Sequence, residues 1–267
     1  MSYFKLFITL FFLLLFGSHF TPVYAEKLIS EPEFRNSECH LNFGLADWRP
    51  LQYIDEKGQA QGFQVGLVRA IAAELGCSLT FIVGDWKEII DGLKEGTIDF
   101  VPDATKTPER EIFANFSIPY RKDSFAIYVR KKDVQSYADH DIDDLKKAQF
   151  RLAINRDFLY GHEIEAWQSD NNFNSSIIYS DNTEQNFGKL LSGEIDGFVE
   201  DPYVMAYLFR SAKVKKSMTT LPLLIKSHHS CFMFSKKRIS SEFIQRFNLA
   251  LNKVKKKPEY RISWFDL

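Results

Sequence analysis

From Leu41 to Val101 the chain alternates short apolar runs with amphipathic stretches that end on glycine, and this alternation restricts the fold more than any other feature. Leu41–Ala46, Leu79–Val83 and Thr97–Val101 read as strands. Residues 63–75 read as a helix ended by Gly76, and 86–95 as a helix capped by Asp85 and ended by Gly96. A strand–helix–strand unit in one sheet crosses over with right-handed sense, so these strands are expected to be parallel neighbours. The pattern returns later: Arg151–Ile154, Ser176–Tyr179 and Glu194–Val199 read as strands, and helices near 160–169, 183–192 and 202–210 separate them. Two βαβ-type halves joined at Tyr120–Ser124 fit this order better than one continuous sheet.

The first residues bear on destination. Met1–Lys5 is short and weakly basic, and Leu6–Phe16 is continuously apolar but short for a bilayer span. A polar stretch then reaches Val23-Tyr-Ala25, a small-x-small site. A signal peptide over 1–25, cleaved before Glu26, is the expectation, with a retained anchor as the other reading. No cysteine stands at that site to carry a lipid. No later stretch is long and apolar enough to span, so with the signal segment an exported protein of a bacterial periplasm is expected.

Lys and Arg number 34 against 35 Asp and Glu, for a formal net charge of −1. Such a balance provides no basic field for nucleic acid. The clusters Lys213–Lys216 and Lys253–Lys257 read as solvated helix or turn faces. With 3 cysteines the chain is no disulfide scaffold, although the compartment permits a bridge. Cys39 and Cys77 each precede a strand, and parallel neighbouring strands would place them at matching ends. A Cys39–Cys77 bridge and three reduced cysteines both remain open, and Cys231 reads as a buried free thiol. The 6 histidines lack ligand spacing apart from the adjacent His228-His229, whose side chains point to opposite faces on a strand. No phosphate-cradling loop is visible. Neither a metal nor a cofactor is expected.

Thr105-Lys-Thr-Pro-Glu-Arg110 follows a strand, carries two hydroxyls and ends on arginine. A guanidinium beside hydroxyls and backbone N–H groups can receive a small carboxylate through a planar fork. An ordinary helix start, with Thr107 as N-cap, Pro108 at N1 and Arg110 solvated, is the competing reading.

An ordered set of motifs extends the first reading: Asp47-Trp48-Arg49-Pro50, Gly62-Phe63, Trp86, Thr107-Pro-Glu-Arg110, Phe116-Ser-Ile-Pro-Tyr120 and Gly197-Phe-Val-Glu-Asp201. On these the chain resembles the extracellular solute-binding protein family 3, the amino-acid-binding proteins of ABC importers. The resemblance covers nearly all of the sequence after residue 25. It implies an α/β, two-lobed periplasmic-binding-protein (type II) fold, each lobe a mixed sheet flanked by helices. Lobe 1 would comprise 26–119 and 231–267, lobe 2 125–225, and the two-strand hinge 120–124 and 226–230. It also implies a role for each matched residue. Arg110 would grip a ligand α-carboxylate with help from Thr105, and Asp201 would receive the α-ammonium. Trp48 and Trp86 would sandwich the ligand side chain, with Asp47 near its far end. Trp86 as a core residue and Asp201 as a plain N-cap stay open beside these roles.

Two departures from the family pattern stand out. Many relatives carry a Gly-Thr-rich turn where this chain has Asn155–Gly161, so the second lobe's share of the carboxylate grip falls to Arg156 or a main-chain nest. Asp103 stands where relatives often have glycine or serine. It either takes the ammonium or selects a cationic side chain. With Trp48, Trp86 and Asp47 it points to a positive or flat aromatic ligand side chain, and small polar amino acids are the other reading. Capture of an amino acid by a monomer, for delivery to ABC importer membrane subunits, is the leading function. A cyclohexadienyl (prephenate or arogenate) dehydratase-like enzyme and a sensory or interaction module are the alternatives. Dehydration needs a positioned acid, and where such enzymes present one this chain has Lys226–Ser230, which holds no carboxylate. His228 or His229 could donate a proton, but a solvated or structural histidine pair is the preferred reading.

Overall fold

The structure, a computed structural model, describes residues 39–156, 158–258 and 260. The expected signal segment 1–25 lies outside the described residues. In chain order the elements are β1 (His40–Leu45), β2 (Tyr53–Ile54), β3 (Ala60–Gln61), α1 (Phe63–Leu75), β4 (Ser78–Val83), α2 (Trp86–Glu95), β5 (Phe100–Thr105), α3 (Pro108–Glu111), β6 (Ala114–Phe116) and β7 (Arg121–Arg130). There follow α4 (Val134–Tyr137), α5 (Ile142–Lys147), β8 (Leu152–Asn155), α6 (His162–Ser169), β9 (Ile177–Ser180), α7 (Thr183–Ser192), β10 (Gly197–Glu200), α8 (Pro202–Leu208), α9 (Ala212–Ser217), β11 (Met218–Ser235) and α10 (Ser241–Lys255).

Local chemistry fixes the first half. Asp85 accepts from the Glu88 backbone N–H at 2.8 Å while the Glu88 carboxylate accepts from Asp85 N–H at 2.9 Å, a reciprocal cap that starts α2. Gly76 and Gly96 end α1 and α2 with φ of 70° and 87°, where a Cβ would be strained. β4, β1 and β5 run parallel, as the crossover rule requires. The strand expected over 97–101 is displaced. The N–H groups of Gly96, Thr97 and Ile98 all bond the Gly92 carbonyl, closing the helix end, so ladder pairing begins at Phe100 and runs to Thr105.

Cys39 and Cys77 stand side by side ahead of the β1–β4 ladder and are bridged, with Cα atoms 4.6 Å apart. Closing a separation of 38 residues stabilises the fold by about 4 kcal/mol in the chain-entropy account. Cys231 is a buried free thiol. Phe43, Phe100, Phe232, Phe234 and Phe247 fill this half's core, with Phe100 stacked on Phe234 at 5.6 Å. The apolar face of α10, unanticipated in the sequence, covers this core, and Lys257, just past the helix end, binds Glu74 of α1 at 2.7 Å. Lys253 binds Glu74 too, so that basic cluster ties two helices together and is not merely solvated.

The second half packs Phe125, Ile127, Phe150, Ile154, Tyr160 and Trp167 around β7, β8 and β10. The strand order β4-β1-β5-β11-β7-β10-β8-β9 is unbroken, contrary to the expectation of separate sheets. The reason is β11. Its 18 residues pair with β7 from Met218 and with β5 up to Phe234, and Ser230 stands opposite both Thr105 and Arg121. Each half keeps its parallel βαβ core, and the antiparallel pair β7–β11 joins them.

Candidate functional site

The loops after β1, β4 and β5 face the start of α7 and the segment after β8 across a cavity of about 530 Å³. Asp47, Trp48, Trp86, Asp103, Thr105 and Arg110 line it. Asp201, the remaining residue of the expected site, does not belong to the lining.

Thr107 caps α3 by accepting from Arg110 N–H at 3.3 Å, and Pro108 follows, as an ordinary helix start would have it. The cap also aims Arg110. Its Nη1 donates to the Thr105 carbonyl at 3.0 Å, and its guanidinium lies 5.9 Å from the centre of the Trp86 ring. The cap and the cavity-lining cation are therefore two uses of one turn.

Trp48 donates from Nε1 to Glu200 Oε1 at 3.3 Å and so links the two halves. Glu200 also accepts from Asp201 N–H at 2.8 Å and from the Thr183 hydroxyl. Burial pushes the Glu200 carboxyl up to about 7, helped by the neighbouring Asp201 charge and opposed by these hydrogen bonds. Phe158, from the segment after β8, meets both indoles edge to face at 5.7 and 6.3 Å between centroids. The two tryptophans thus share a third aromatic partner from the chain itself. Arg156 pairs with Asp181 at 3.2 Å on an exposed edge and is not among the lining residues. Asp47, also exposed, lies 3.4 Å from Arg49.

Asp103 sits at a φ of 49°, a left-handed backbone that aspartate tolerates better than most residues. Its carboxylate accepts from Tyr120 Oη at 2.8 Å and from Gln64, and Arg121 Nη2 lies 3.4 Å away. Arg121 was not foreseen as a site residue. Its side chain is 7% exposed and also reaches Asp123 at 2.8 Å and Asp201 at 3.0 Å, with the Trp48 ring centre 5.7 Å away. Burial alone would lower its pKa, but Asp103, Asp201 and Asp123 more than reverse that and hold it protonated. Asp201 additionally caps α8, accepting from Tyr203 N–H at 2.7 Å. Asp123 lines the cavity, accepts from the Ser230 hydroxyl, and is pushed up to about 6 by burial against the pull of Arg121.

Arg121, Asp123, Phe158 and Glu200 are the residues that sequence reasoning missed. A signal existed for the first two: Arg121-Lys-Asp123 is a charged triplet heading the apolar run Phe125–Val129. Among the described residues, no group of ≥ 3 His, Cys, Asp or Glu could hold a metal ion.

Comparison with known proteins bears on the family and the fold. A probable histidine-binding protein of Neisseria gonorrhoeae is 27% identical over 220 residues, 80% of this chain and 77% of the relative. The solved structure of an ancestral arginine-binding protein bound to arginine has a TM-score of 0.70 at 25% identity, covering 85% of this chain and 97% of the other. An ancestral amino-acid-binding protein, a precursor of cyclohexadienyl dehydratase, has a TM-score of 0.68 at 26% identity, covering 85% and 94%. The two-lobed fold is that of the periplasmic binding proteins, with a curled mixed sheet. The profile of the bacterial extracellular solute-binding proteins, family 3, matches residues 41–263, and the chain belongs to that family.

Proposed function

We propose that this protein captures an amino acid with a cationic or flat aromatic side chain in the bacterial periplasm and delivers it to an ABC importer. The observation that carries the reading is the unequal charge of one cavity. Arg110 stands at one corner beside Thr105, while Asp47, Asp85, Asp103, Asp123 and Asp181 also line it. A zwitterion leaving water needs a cation for its carboxylate and an anion for its ammonium, or its desolvation is not recovered. The lining carries more carboxylates than cations, although Arg49, Arg156 and Arg121 partner several of them from outside it. This balance favours a positive over an acidic side chain, and the Trp48 and Trp86 faces suit a cation or a flat ring. The histidine- and arginine-binding relatives fit this choice.

In this reading residues 26–119 and 231–267 form one lobe and 125–225 the other. The strands at 120–124 and 226–230 bend as the lobes close. The export signal is cleaved near Ala25, and the protein works as a monomer. The dehydratase alternative is weaker. His228 and His229 are exposed and do not line the cavity, and His228 lies 3.6 Å from Glu165 on the surface.

A thermal-shift panel of the twenty amino acids, followed by small-angle scattering with the strongest hit, tests the proposal. Arginine, histidine, lysine or an aromatic amino acid should raise the melting temperature and shrink the radius of gyration. A panel in which none of them shifts the melting curve, or steady turnover of prephenate, would contradict it.

A further inference from the structure

Asp201 matches the family's ammonium acceptor, yet both of its oxygens are engaged from within: Arg121 Nη1 at 3.0 Å on Oδ2 and Tyr203 N–H at 2.7 Å on Oδ1. Its side chain is 2% exposed and outside the cavity lining. Asp123, itself only 8% exposed, differs on the other two points. It belongs to the lining, and its Oδ1 accepts no hydrogen bond from any described residue. Arg121 Nε lies 2.8 Å from that oxygen but is not aligned to donate to it. Three carboxylates, Asp103, Asp123 and Asp201, surround the single Arg121 guanidinium, so the cluster carries room for a further cation.

The sheet also sets the spacing. Ser230 of β11 stands opposite Thr105 of β5 on one side and Arg121 of β7 on the other, and its hydroxyl donates to Asp123. Neighbouring strands lie about 4.8 Å apart, so Asp123 and the Thr105–Arg110 corner flank one residue. An α-amino acid carries its carboxylate and ammonium on one carbon and needs its two receptors that close. We infer that Asp123, oriented by Ser230, receives the ligand α-ammonium in this protein, and that Arg121 occupies Asp201 as a built-in cation.

This assignment rests on the amino-acid reading above, and the test separates the two. Calorimetry compares L-arginine with 5-guanidinopentanoate, L-histidine with 3-(imidazol-4-yl)propanoate, and L-phenylalanine with 3-phenylpropanoate, each pair differing only in the ammonium. The wild type should prefer the amino acid by about thirtyfold in a pair that binds, the worth of one charged hydrogen-bonded contact. Asp123→Asn should bring that ratio to within about threefold, whereas Asp201→Asn should keep it near the wild-type value and lower the melting temperature of the free protein. Ser230→Ala, which leaves the carboxylate but removes its orienting donor, should reduce the ratio by about fivefold and serves if Asp123→Asn does not fold. A ratio that survives Asp123→Asn or Ser230→Ala, or that collapses in Asp201→Asn, overturns the assignment while leaving amino-acid binding intact. A wild type that binds none of the six compounds refutes the amino-acid reading and the Asp123 role together.

Discussion

Arg110 and Arg121 sit close in sequence and near the same cavity, yet one lines it and the other is buried beside it. Arg110 leans on a backbone carbonyl and an indole face, with its guanidinium in the cavity wall. Arg121 is buried among Asp103, Asp123 and Asp201. The difference is one of duty. A cation in the cavity wall is placed to meet a ligand, whereas a cation buried among carboxylates is spent on holding the protein together. Buried charge of one sign is tolerable only when the other sign is built in beside it.

The sharpest way to break this contrast is to delete the inner cation. Arg121→Ala leaves three buried carboxylates without it and should destabilise the free protein by about 3–5 kcal/mol, read from chemical denaturation. Arg121→Lys keeps the charge, loses the planar fork, and should fall between. A loss below about 1 kcal/mol for the alanine variant would mean that water or proton uptake already neutralises the cluster.

A smaller effect is expected from Glu200, behind Asp201. Its carboxyl titrates near 7 in the fold against an ordinary value of 4.5, so the folded protein holds the extra proton between those values. Because the native state then binds more protons than the unfolded one, this group's contribution is complete below pH 4.5 and is lost as pH rises through about 7. The full span is on the order of 3 kcal/mol. Glu200→Gln should flatten the fall relative to wild type in melting curves taken from pH 4.5 to pH 8. Parallel pH profiles for the two proteins would show that Glu200 titrates normally.

Phe158→Ala should have the mildest effect. Removing one edge-to-face partner from Trp48 and Trp86 should cost about 1 kcal/mol of stability. Affinity should shift toward bulkier side chains in the thermal-shift panel, because the two indoles then face open space. An unchanged ligand ranking would place Phe158 outside the specificity wall.

The contrast between the arginines also marks what could be read from the sequence. Elements set by local chemistry were legible: the Asp85 cap, Gly76 and Gly96 as helix ends, and the helix at 183–192. So was the fold class, through the motif order from Asp47 to Asp201. The displaced start of β5 was not, because it depends on three N–H groups turning back to one carbonyl. The length of β11 and the presence of α10 were hidden, since their partners in β5, β7 and α1 lie far away in the sequence. The motif identified Asp201 as an acid at the end of a strand. That its partner is Arg121 follows from β7 lying beside β10, with Ala126 opposite Glu200, and no local pattern encodes such a neighbour. Phe158 was missed for a related reason: nothing at 155–161 alone says that two distant tryptophans will meet it.

The account stands or falls on Arg110 as the anchor of a ligand carboxylate. Calorimetric titration of L-arginine and L-histidine into wild type and Arg110→Ala, beside melting curves of both free proteins, tests this most directly. The predicted result is binding to wild type that weakens by a hundredfold or more in the variant, about 3 kcal/mol, while the free proteins differ in stability by no more than about 1 kcal/mol. A folded Arg110→Ala protein that binds the same amino acid with unchanged affinity would contradict it.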